Sequence, residues 1–246
     1  MTARMNEFDQ PIGVALPDWR PVPLPPYTPM NGAYCRVEPI DYVRHAEGLF
    51  AAYREDKDGR NWTYLPDQPV ADRAAFDAWM DTRCRSRDPM FHAIVDPDNG
   101  AAAGIAGLMR IDPRVGSIEV GGINFAPRLQ RTRLASEAMY LMMRRVFDEL
   151  GYRRYEWKCD ALNAPSRRAA TRLGFSYEGL FRQATIYKGR NRDTAWYAIL
   201  DSEWPGIKAG FEAWLDPANF DEAGAQRAGL GDLIAQMRAP TGQQEA

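Results

Sequence analysis

The spacing of the apolar residues changes period near the middle of the chain. Between Gly116 and Phe125, apolar side chains alternate with polar or small ones, which is the period of a β-strand. Further on they recur every three or four residues, which is the period of a helix with one apolar side. The helical positions are Leu134, Ala138, Leu141, Met142 and Val146. The pattern therefore predicts a strand that runs, through a short polar segment, into a helix.

Paired glycines interrupt this strand. Ile118 and Val120 lie at even positions, whereas Ile123 and Phe125 lie at odd ones, with Gly121-Gly122 between them. A one-residue change of phase at glycines predicts a β-bulge, which would bend the strand away from its neighbour. The helix that follows would point the free N–H groups of its first turn, and the positive end of its dipole, at the same place. The join therefore predicts a cleft beside a phosphate-binding helix N-terminus.

The rest of the chain predicts one domain with two extensions. Seven prolines in residues 1–30 favour an extended arm without helix or sheet pairing, and packing on its own domain is the simpler expectation. We predict an arm at 1–32, a domain at 33–204 and a helical extension at 205–246. The other predicted strands are Ala33–Ile40, Met90–Val95, Gly104–Ile111, Arg153–Cys159, Phe175–Tyr187 and Thr194–Leu200. The other predicted helices are Asp41–Tyr53, Asp72–Cys84, Asn163–Gly174, Ser202–Leu215 and Glu222–Arg238.

Charge is uneven along the chain, although the net charge is only −2. Residues 128–192 carry 15 Lys/Arg against 6 Asp/Glu, a net +9, and the remainder carries −11. This basic third contains the predicted helix N-terminus and suits a polyanionic ligand, although for any single arginine a solvated basic face is an equal reading. The acidic remainder, and the lack of aromatic residues between the arginines, argue against nucleic acid.

Other classes of protein are disfavoured by what the sequence lacks. No apolar run is long enough to span a membrane, and the first ten residues lack the features of a signal peptide, so we expect a cytoplasmic protein without a membrane partner. Cys35, Cys84 and Cys159 are widely spaced and form no CxxC pair. We therefore predict neither a disulfide framework nor a metal site.

Several motifs occur in a fixed order from the bulged strand onward. They are the Glu119 strand, the Gln130–Ala135 loop, Ser136-Glu137-Ala138, Asn163-Ala164-Pro165-Ser166, Leu173-Gly174-Phe175, Glu178-Gly179 and Asp193. This set resembles the GNAT superfamily of acyl-CoA-dependent N-acyltransferases, specifically its ribosomal-protein N-acetyltransferase-like branch, from Tyr34 to Trp204. The resemblance implies an α+β fold with a mixed, mostly antiparallel central sheet, flanked by helices and splayed at a bulged strand beside the cofactor.

The resemblance also implies a reaction. It is the transfer of an acetyl group from acetyl-CoA (coenzyme A) to a primary amine, of a small molecule or of a peptide or protein N-terminus, by direct attack in a ternary complex. The alternative is a non-catalytic acyl-CoA-binding sensor or partner-binding module. Whether the chain forms a homodimer is left open.

Residues that match the family's cofactor site lie in three segments. They are Ile123 and Phe125 on the strand, Gln130, Arg131, Thr132, Arg133, Leu134, Ala135 and Ser136 at the helix start, and Asn163 further on. Arg133 occupies a position where the family pattern has glycine. It therefore makes the phosphate site looser, or contacts a phosphate with its side chain. Asn163 matches the asparagine that binds the pantetheine arm, and it also fits a plain helix N-cap.

The same resemblance supplies candidates for the chemistry. Ser166 matches the serine that protonates the leaving sulfur, because Ala170 stands where many members have a tyrosine; a helix-capping hydroxyl is the alternative. Glu119 is a candidate base, and a structural ion pair is an equal alternative. Trp62 and Tyr64 are candidates for contact with the acceptor, and packing of the Trp62 ring in the core is the alternative.

Overall fold

The computed structural model describes residues 4–238, which fold around one large sheet. The strands are β1 Arg4–Met5, β2 Pro11–Ile12, β3 Met30–Asn31, β4 Arg36–Pro39, β5 Met90–Val95, β6 Ala102–Asp112, β7 Ser117–Phe125, β8 Arg154–Asp160, β9 Ser176–Tyr187 and β10 Arg190–Leu200. The helices are α1 Tyr42–Tyr53, α2 Arg73–Arg85, α3 Arg133–Arg144, α4 Ala164–Arg172, α5 Trp204–Leu215 and α6 Leu230–Met237. Eight strands form the sheet in the order β3-β4-β5-β6-β7-β8-β10-β9. Among the described strands only β7 and β8 pair in parallel, so the sheet is mostly antiparallel, as predicted.

Side-chain caps fix where the helices begin. Asp41, Asp72 and Asn163 each accept a hydrogen bond from a backbone N–H three residues later. Such a cap satisfies one of the free donors of the first turn, so the helix start is encoded locally. These three predicted starts are confirmed.

The two faces of the sheet are covered by different helices. On one face, Tyr155 of β8 packs against Phe147, which follows α3, and against Phe175, which follows α4. On the other face, the end of α1 and the middle of α2 enclose a cluster of rings. The cluster consists of Tyr53, Trp62 and Trp79, with centroids 5.6 to 5.8 Å apart. The sheet therefore lies between two separately packed helical layers.

The proline-rich arm packs on its own domain. The Trp19 indole donates to the carbonyl of Arg114 at 2.7 Å, and the Tyr27 hydroxyl donates to the carbonyl of Phe91 at 2.7 Å. Nη1 of the buried Arg145 donates to the carbonyls of Pro26 and Thr28. The arm thus runs past the β6–β7 turn, the start of β5 and the end of α3.

Glu137 on α3 anchors the end of the arm. Its carboxylate, 4% exposed, accepts backbone N–H groups from Ala33, Tyr34 and Cys35 at 2.8, 2.6 and 2.7 Å. An ideal Cβ on Gly32 would lie 2.4 Å from this carboxyl group. Only glycine therefore fits where the chain enters β4.

The arm also departs from the prediction that it would form no sheet pairs. Arg4–Met5 pairs with Pro11–Ile12, and Met30–Asn31 pairs with β4. The Asn6 carboxamide accepts the N–H groups of Phe8 and Gln10 and so closes the turn of the first pair. A side chain that replaces backbone partners in a turn is not visible in the proline pattern.

The C-terminal extension packs back on the domain. Tyr140 of α3 stacks on Trp204 and Phe211 of α5, and Gly210 lets α6 approach α5 at Ile234. The predicted helix Glu222–Arg238 is wrong in its first half, since α6 begins only at Leu230.

A turn replaces the missing half of that helix. The Asp221 carboxylate accepts the N–H groups of Ala223 and Ala225, and Gly224 has a φ of +77°. Such local hydrogen bonds compete with a helix. Residues 1–3 of the predicted arm and 239–246 of the predicted extension lie outside the described residues. No helix between residues 4 and 238 is both long and apolar enough to cross a membrane.

Candidate active site

A gap opens between β7 and β8. The two strands pair only from Ser117 with Arg154 to Val120 with Trp157. Beyond Val120, one extra residue enters β7, since Gly107 of β6 faces Gly121 whereas Ile105 faces Asn124. This is the predicted bulge, and Gly122 adopts a φ of +59° within it. The bend leaves the last residues of β7 without a partner on the β8 side.

Two backbone N–H groups of β7 point into this gap. Ala126 donates its N–H to Ala103, on the β6 side. Successive N–H groups along a strand point to opposite sides, so those of Phe125 and Ile123 point towards β8. The sequence analysis placed both residues in the cofactor site. Their N–H groups lie where a strand partner would otherwise accept them.

The N-terminus of α3 lies directly beyond the gap. The Thr132 hydroxyl accepts the N–H of Ala135 at 3.0 Å, and the Thr132 carbonyl accepts that of Ser136. Within the described chain, the N–H groups of Arg133 and Leu134 have no acceptor. Arg131, just before the helix, has a φ of +62°. The first turn therefore offers two free donors and the positive end of the helix dipole to an anion.

The side chains of the loop have separate tasks. Gln130 donates to the side chain of Asn61 at 3.0 Å and to the carbonyl of Phe125 at 2.9 Å, which closes the loop against the end of β7. The Arg133 guanidinium lies 3.4 Å from the centre of the Phe220 ring and 4.6 Å from that of Tyr34. Arg133 is thus held by aromatic rings, one of them in the C-terminal extension, which the sequence did not indicate.

Asn163 and Ser166 flank the gap from α4. The Asn163 carboxamide oxygen accepts the N–H of Ser166 at 3.1 Å, so Asn163 is the N-cap and its NH₂ group faces outward without an acceptor in residues 4–238. The half-buried Ser166 hydroxyl accepts the Trp157 indole N–H at 3.0 Å. Because that bond uses an oxygen lone pair, the hydroxyl proton remains free to be donated. Burial raises the pKa of the adjacent Cys159, and the Ser166 hydroxyl, which can turn its proton towards that sulfur, opposes the rise.

Glu119 belongs to a buried group of charges on the α1/α2 face. One carboxylate oxygen, Oε2, lies 2.7 Å from Nη1 of Arg110 and 2.9 Å from Nζ of Lys158. Lys158 also pairs with Glu156 at 2.7 Å and lies 3.8 Å from the centre of the Trp196 ring. The ion-pair interpretation is thus present in the structure. A proton taken from an amine would have to go to the other oxygen, Oε1.

Comparison with known proteins identifies the family. Residues 37–176 match the model of the acetyltransferase (GNAT) domain. A GCN5-related N-acetyltransferase from Brucella melitensis is 48% identical in sequence, covers 89% of this chain and all of its own, and superposes with a TM-score of 0.87. The chain belongs to the GNAT acetyltransferase family. The predicted family and fold are confirmed.

Other relatives define the limits of this likeness. The uncharacterized N-acetyltransferase YnaD of Bacillus subtilis (strain 168) is 36% identical over 87 residues, which is 35% of this chain. The match spans half the length of YnaD. An acetyltransferase from Salmonella typhimurium that modifies the N-terminal serine of the 50S ribosomal subunit protein L7/L12 has a TM-score of 0.59 at 18% identity, with 69% of this chain and 96% of its own covered. It shares the GNAT fold.

The predicted acceptor residues of this GNAT domain lie in different surroundings. Trp62 is 2% exposed and packs in the ring cluster with Tyr53 and Trp79, which is the packing interpretation of its ring. Tyr64 is half-buried, and its hydroxyl donates to the carbonyl of Leu162 at 3.1 Å, beyond the end of β8. Tyr64 therefore lies at the mouth of the gap, whereas the Trp62 ring supports the wall behind it.

The tip of the β9–β10 hairpin closes the same wall. Lys188 donates to the carbonyl of Trp62 at 2.6 Å, and Arg190 donates to that of Thr63 at 2.8 Å. The Tyr187 hydroxyl donates to the Asp160 carboxylate at 2.8 Å. Burial and this carboxylate raise the pKa of Tyr187 to about 12. Residues far apart in the sequence thus form one rim.

Sequence reasoning missed Asn124. Val120 faces Leu108 and Phe125 faces Gly104 on β6, so both lie on the same side of the sheet and Asn124 lies on the other, with Glu119. Asn124 is 4% exposed, and neither side-chain amide atom has a partner in the part of the chain that the structure describes. A buried carboxamide without partners beside a cleft is a candidate ligand contact. No sequence motif marks it.

Proposed function

We propose that this chain transfers an acetyl group from acetyl-CoA to a primary amine by direct attack in a ternary complex. The observation that carries the proposal is the gap, which combines free N–H groups at Ile123 and Phe125 with free N–H groups at the start of α3. The first pair suits a thioester carbonyl and the second suits a diphosphate. The NH₂ group of Asn163, at the start of α4, has no acceptor in residues 4–238 and suits the amides of pantetheine.

Different groups around the gap act in different steps of the proposed reaction. The amine nitrogen bonds to the acetyl carbon while the N–H groups of Ile123 and Phe125 stabilise the negative charge on the carbonyl oxygen. The carbon–sulfur bond then breaks, and Ser166 donates its proton to the sulfur. The nitrogen loses a proton to Oε1 of Glu119, directly or through water, and transfer of that proton through water back to Ser166 restores both residues.

The acceptor is proposed as an amine of a small molecule or of a protein N-terminus. Tyr64 at the mouth and Asn124 within the wall are the residues proposed to contact it. Incubation with acetyl-CoA and panels of amines and peptides, followed by mass spectrometry, would identify the acceptor. Its product should be about 42 mass units heavier than the free amine, because one acetyl group replaces one proton. Thiol release that requires an added amine would support the reaction.

A non-catalytic acyl-CoA-binding module is the second candidate. It is favoured by the position of Glu119, whose Oε2 is already paired with Arg110 and Lys158. Binding of acetyl-CoA by calorimetry without amine-dependent thiol release across the panel would support this candidate over the enzyme. Absence of binding by folded protein would contradict both.

A further inference from the structure

A buried carboxylate and an exposed guanidinium are in contact beside the gap. Glu119 lies on β7, one residue before the pairing with β8 ends at Val120. Its Oε2 is 2.7 Å from Nη1 of Arg110, yet the Glu119 side chain is 3% exposed and that of Arg110 is 57% exposed. The acetyl-transfer chemistry described above does not use Arg110. A buried anion thus holds an accessible cation next to the proposed position of the amine.

The backbone of Arg110 is held in an uncommon conformation. Its φ is +48°, in the left-handed region that residues other than glycine rarely adopt. The pairing of β6 with β7 shifts register between Met109 and Asp112, and the Arg110 N–H donates to the Asp88 carboxylate at 2.9 Å. The register shift and this hydrogen bond therefore fix Arg110 where its guanidinium reaches Glu119.

Arg110 is also the cation that has donors left for a ligand. Lys158, the other cation on Oε2 of Glu119, is 8% exposed, pairs with Glu156 at 2.7 Å and lies against the Trp196 ring. In the part of the chain that the structure describes, Nε and Nη2 of Arg110 have no hydrogen-bond partner. Two adjacent donors of a guanidinium bind the two oxygens of a carboxylate. Arg110 is therefore suited to an acidic group on the ligand.

The second oxygen of Glu119 points towards the gap. An ideal Cβ on Gly121, the first residue of β7 after the pairing with β8 ends, would lie 3.3 Å from Oε1. Asn124, with its unpaired carboxamide, lies on the same side of the sheet as Glu119 and Gly121. The flexible Met109 thioether covers Gly121 and would contact a ligand there. An amine between Oε1 and the Asn124 carboxamide would meet two oxygen acceptors.

We propose that the acceptor is a free α-amino acid, with its amino group on Oε1 of Glu119 and its carboxylate on Nε and Nη2 of Arg110. This inference rests on the proposed function, because it names the amine of that reaction. A guanidinium in contact with a carboxylate is complementary in charge to an amino acid, whose two charged groups are joined through one carbon. The amino group would face the gap, and the carboxylate would lie on the Oε2 side of Glu119.

The products would be an N-acetyl amino acid and free CoA, formed by the bond changes and proton transfers given above. A peptide N-terminus has an amide where the free amino acid has its carboxylate. It would therefore leave the exposed donors of Arg110 without an anionic partner.

Paired acceptors test this inference. Each proteinogenic L-amino acid is compared with its carboxamide, which keeps the amine and the side chain but lacks the carboxylate, by thiol release from acetyl-CoA. For the wild-type protein, kcat/KM for at least one free amino acid should exceed that for its amide about 30-fold, as expected of a charge-assisted bidentate contact. The amide has the larger fraction of neutral amine at neutral pH, so its basicity works against the expected result.

Substitution of Arg110 separates carboxylate binding from an effect on Glu119. In Arg110→Asn, which suits a positive φ, the KM for the free amino acid should rise and the acid-to-amide ratio of kcat/KM should fall towards one. A change in the basicity of Glu119 would alter both acceptors alike and cancel from this ratio. Arg110→Lys keeps the charge and should retain part of the ratio. Arg114→Ala, in the next turn and with a side chain 82% exposed, should leave it unchanged.

The possible results distinguish the acceptor from the reaction. Equal kcat/KM for acids and amides, or an unchanged ratio in Arg110→Asn, would overturn the inference while leaving acetyl transfer to amines intact. Acetylation of peptide N-termini without acetylation of any free amino acid would overturn it in favour of a protein acceptor. Binding of acetyl-CoA without thiol release for any acceptor would contradict the proposed function, and the inference with it. Circular dichroism confirms folding, and Arg110→Lys remains informative if Arg110→Asn does not fold.

Discussion

Two groups of hydrogen-bonding atoms on α3 are built in opposite ways. In the second turn, three backbone N–H groups converge on the buried Glu137 carboxylate. In the first turn, the N–H groups of Arg133 and Leu134 meet no acceptor in residues 4–238. The first group has all its hydrogen-bond partners within the protein, whereas the second needs an acceptor from a bound ligand.

The difference separates residues that hold the fold from residues that hold a ligand. Polar groups that are buried and paired stabilise the native state, since an unpaired buried group costs free energy. Polar groups that stay unpaired in the free protein destabilise it, and this is expected at a place where a bound ligand supplies the missing partners. The Glu137 site should therefore respond to substitution in stability, and the gap in activity.

Replacement of Glu137 should give the largest effect. Glu137→Ala leaves three N–H groups without their acceptor and should lower the free energy of unfolding by about 4 kcal/mol, at about 1–3 kcal/mol for each lost partner after relaxation. Urea denaturation measures this change. Glu137→Gln keeps one acceptor oxygen and should lose less. Glu47→Ala, a glutamate whose side chain is 80% exposed, should change stability by about 0.5 kcal/mol at most.

Equal loss in the Glu47 and Glu137 variants would show that the arm is not anchored by this carboxylate. Loss of acetyl transfer in Glu137→Gln without loss of stability would contradict the proposal that the second turn of α3 serves stability and the first turn serves ligand binding.

Ser166→Ala should affect turnover instead. Loss of a general acid typically lowers the rate by about 100-fold, equivalent to about 2.7 kcal/mol in the activation free energy. The KM for acetyl-CoA and the unfolding midpoint should change little, because Asn163 still caps α4. Steady-state kinetics across pH tests this, with the exposed Ser202→Ala as the matched control. An unchanged kcat and pH profile would remove Ser166 from the mechanism and leave it as a partner of the Trp157 indole.

Sequence reasoning predicted what is encoded locally. The bulge follows from a phase change at Gly121-Gly122, and the starts of α1, α2 and α4 follow from capping side chains. The order of motifs then identified the family. These signals depend on neighbours within a few residues, so one sequence is enough to show them.

Long-range contacts were not predictable in the same way. Glu137 was recognised as part of a motif, yet its task depends on residues more than 100 positions away. Arg133 occupies a glycine position of the loop, but its aromatic partner Phe220 lies in the extension. Local pattern also failed where a side chain replaced a backbone partner, as Asp221 does before α6. His92 and Asn124 carry no pattern at all, although burial gives each of them testable properties.

Low pH should lower the stability of the folded protein through His92, which packs against the arm. This side chain is 1% exposed beneath the Tyr27 ring, and burial, with a smaller contribution from Arg145, lowers its pKa to about 4. The unfolded chain has a histidine pKa of about 6.5, so between these values the unfolded state binds more protons. Stability is therefore full above about pH 6.5 and falls until about pH 4. At pH 5 the loss should be about 2 kcal/mol relative to pH 8.

Urea denaturation of the wild type and of His92→Gln between pH 8 and pH 5 tests this expectation. The variant should lose about 2 kcal/mol less over that range, whatever its absolute stability. Burial also lowers the pKa of His45, so some slope will remain in the variant. Parallel curves for the two proteins would show that His92 is not held neutral in the folded state.

Replacement of Asn124 tests the unpaired groups at the gap, and its expected effect is the smallest. If its carboxamide is left open for the acceptor, Asn124→Leu removes an unpaired buried polar group, so stability should hold or rise. The KM for the amine should nonetheless increase about tenfold, equivalent to about 1.4 kcal/mol, whereas the KM for acetyl-CoA should not change. A carboxamide that serves only the fold would give the reverse, with lower stability and an unchanged KM. The two measurements together therefore decide whether an unpaired group inside this GNAT domain marks a binding site or a place where water completes the core.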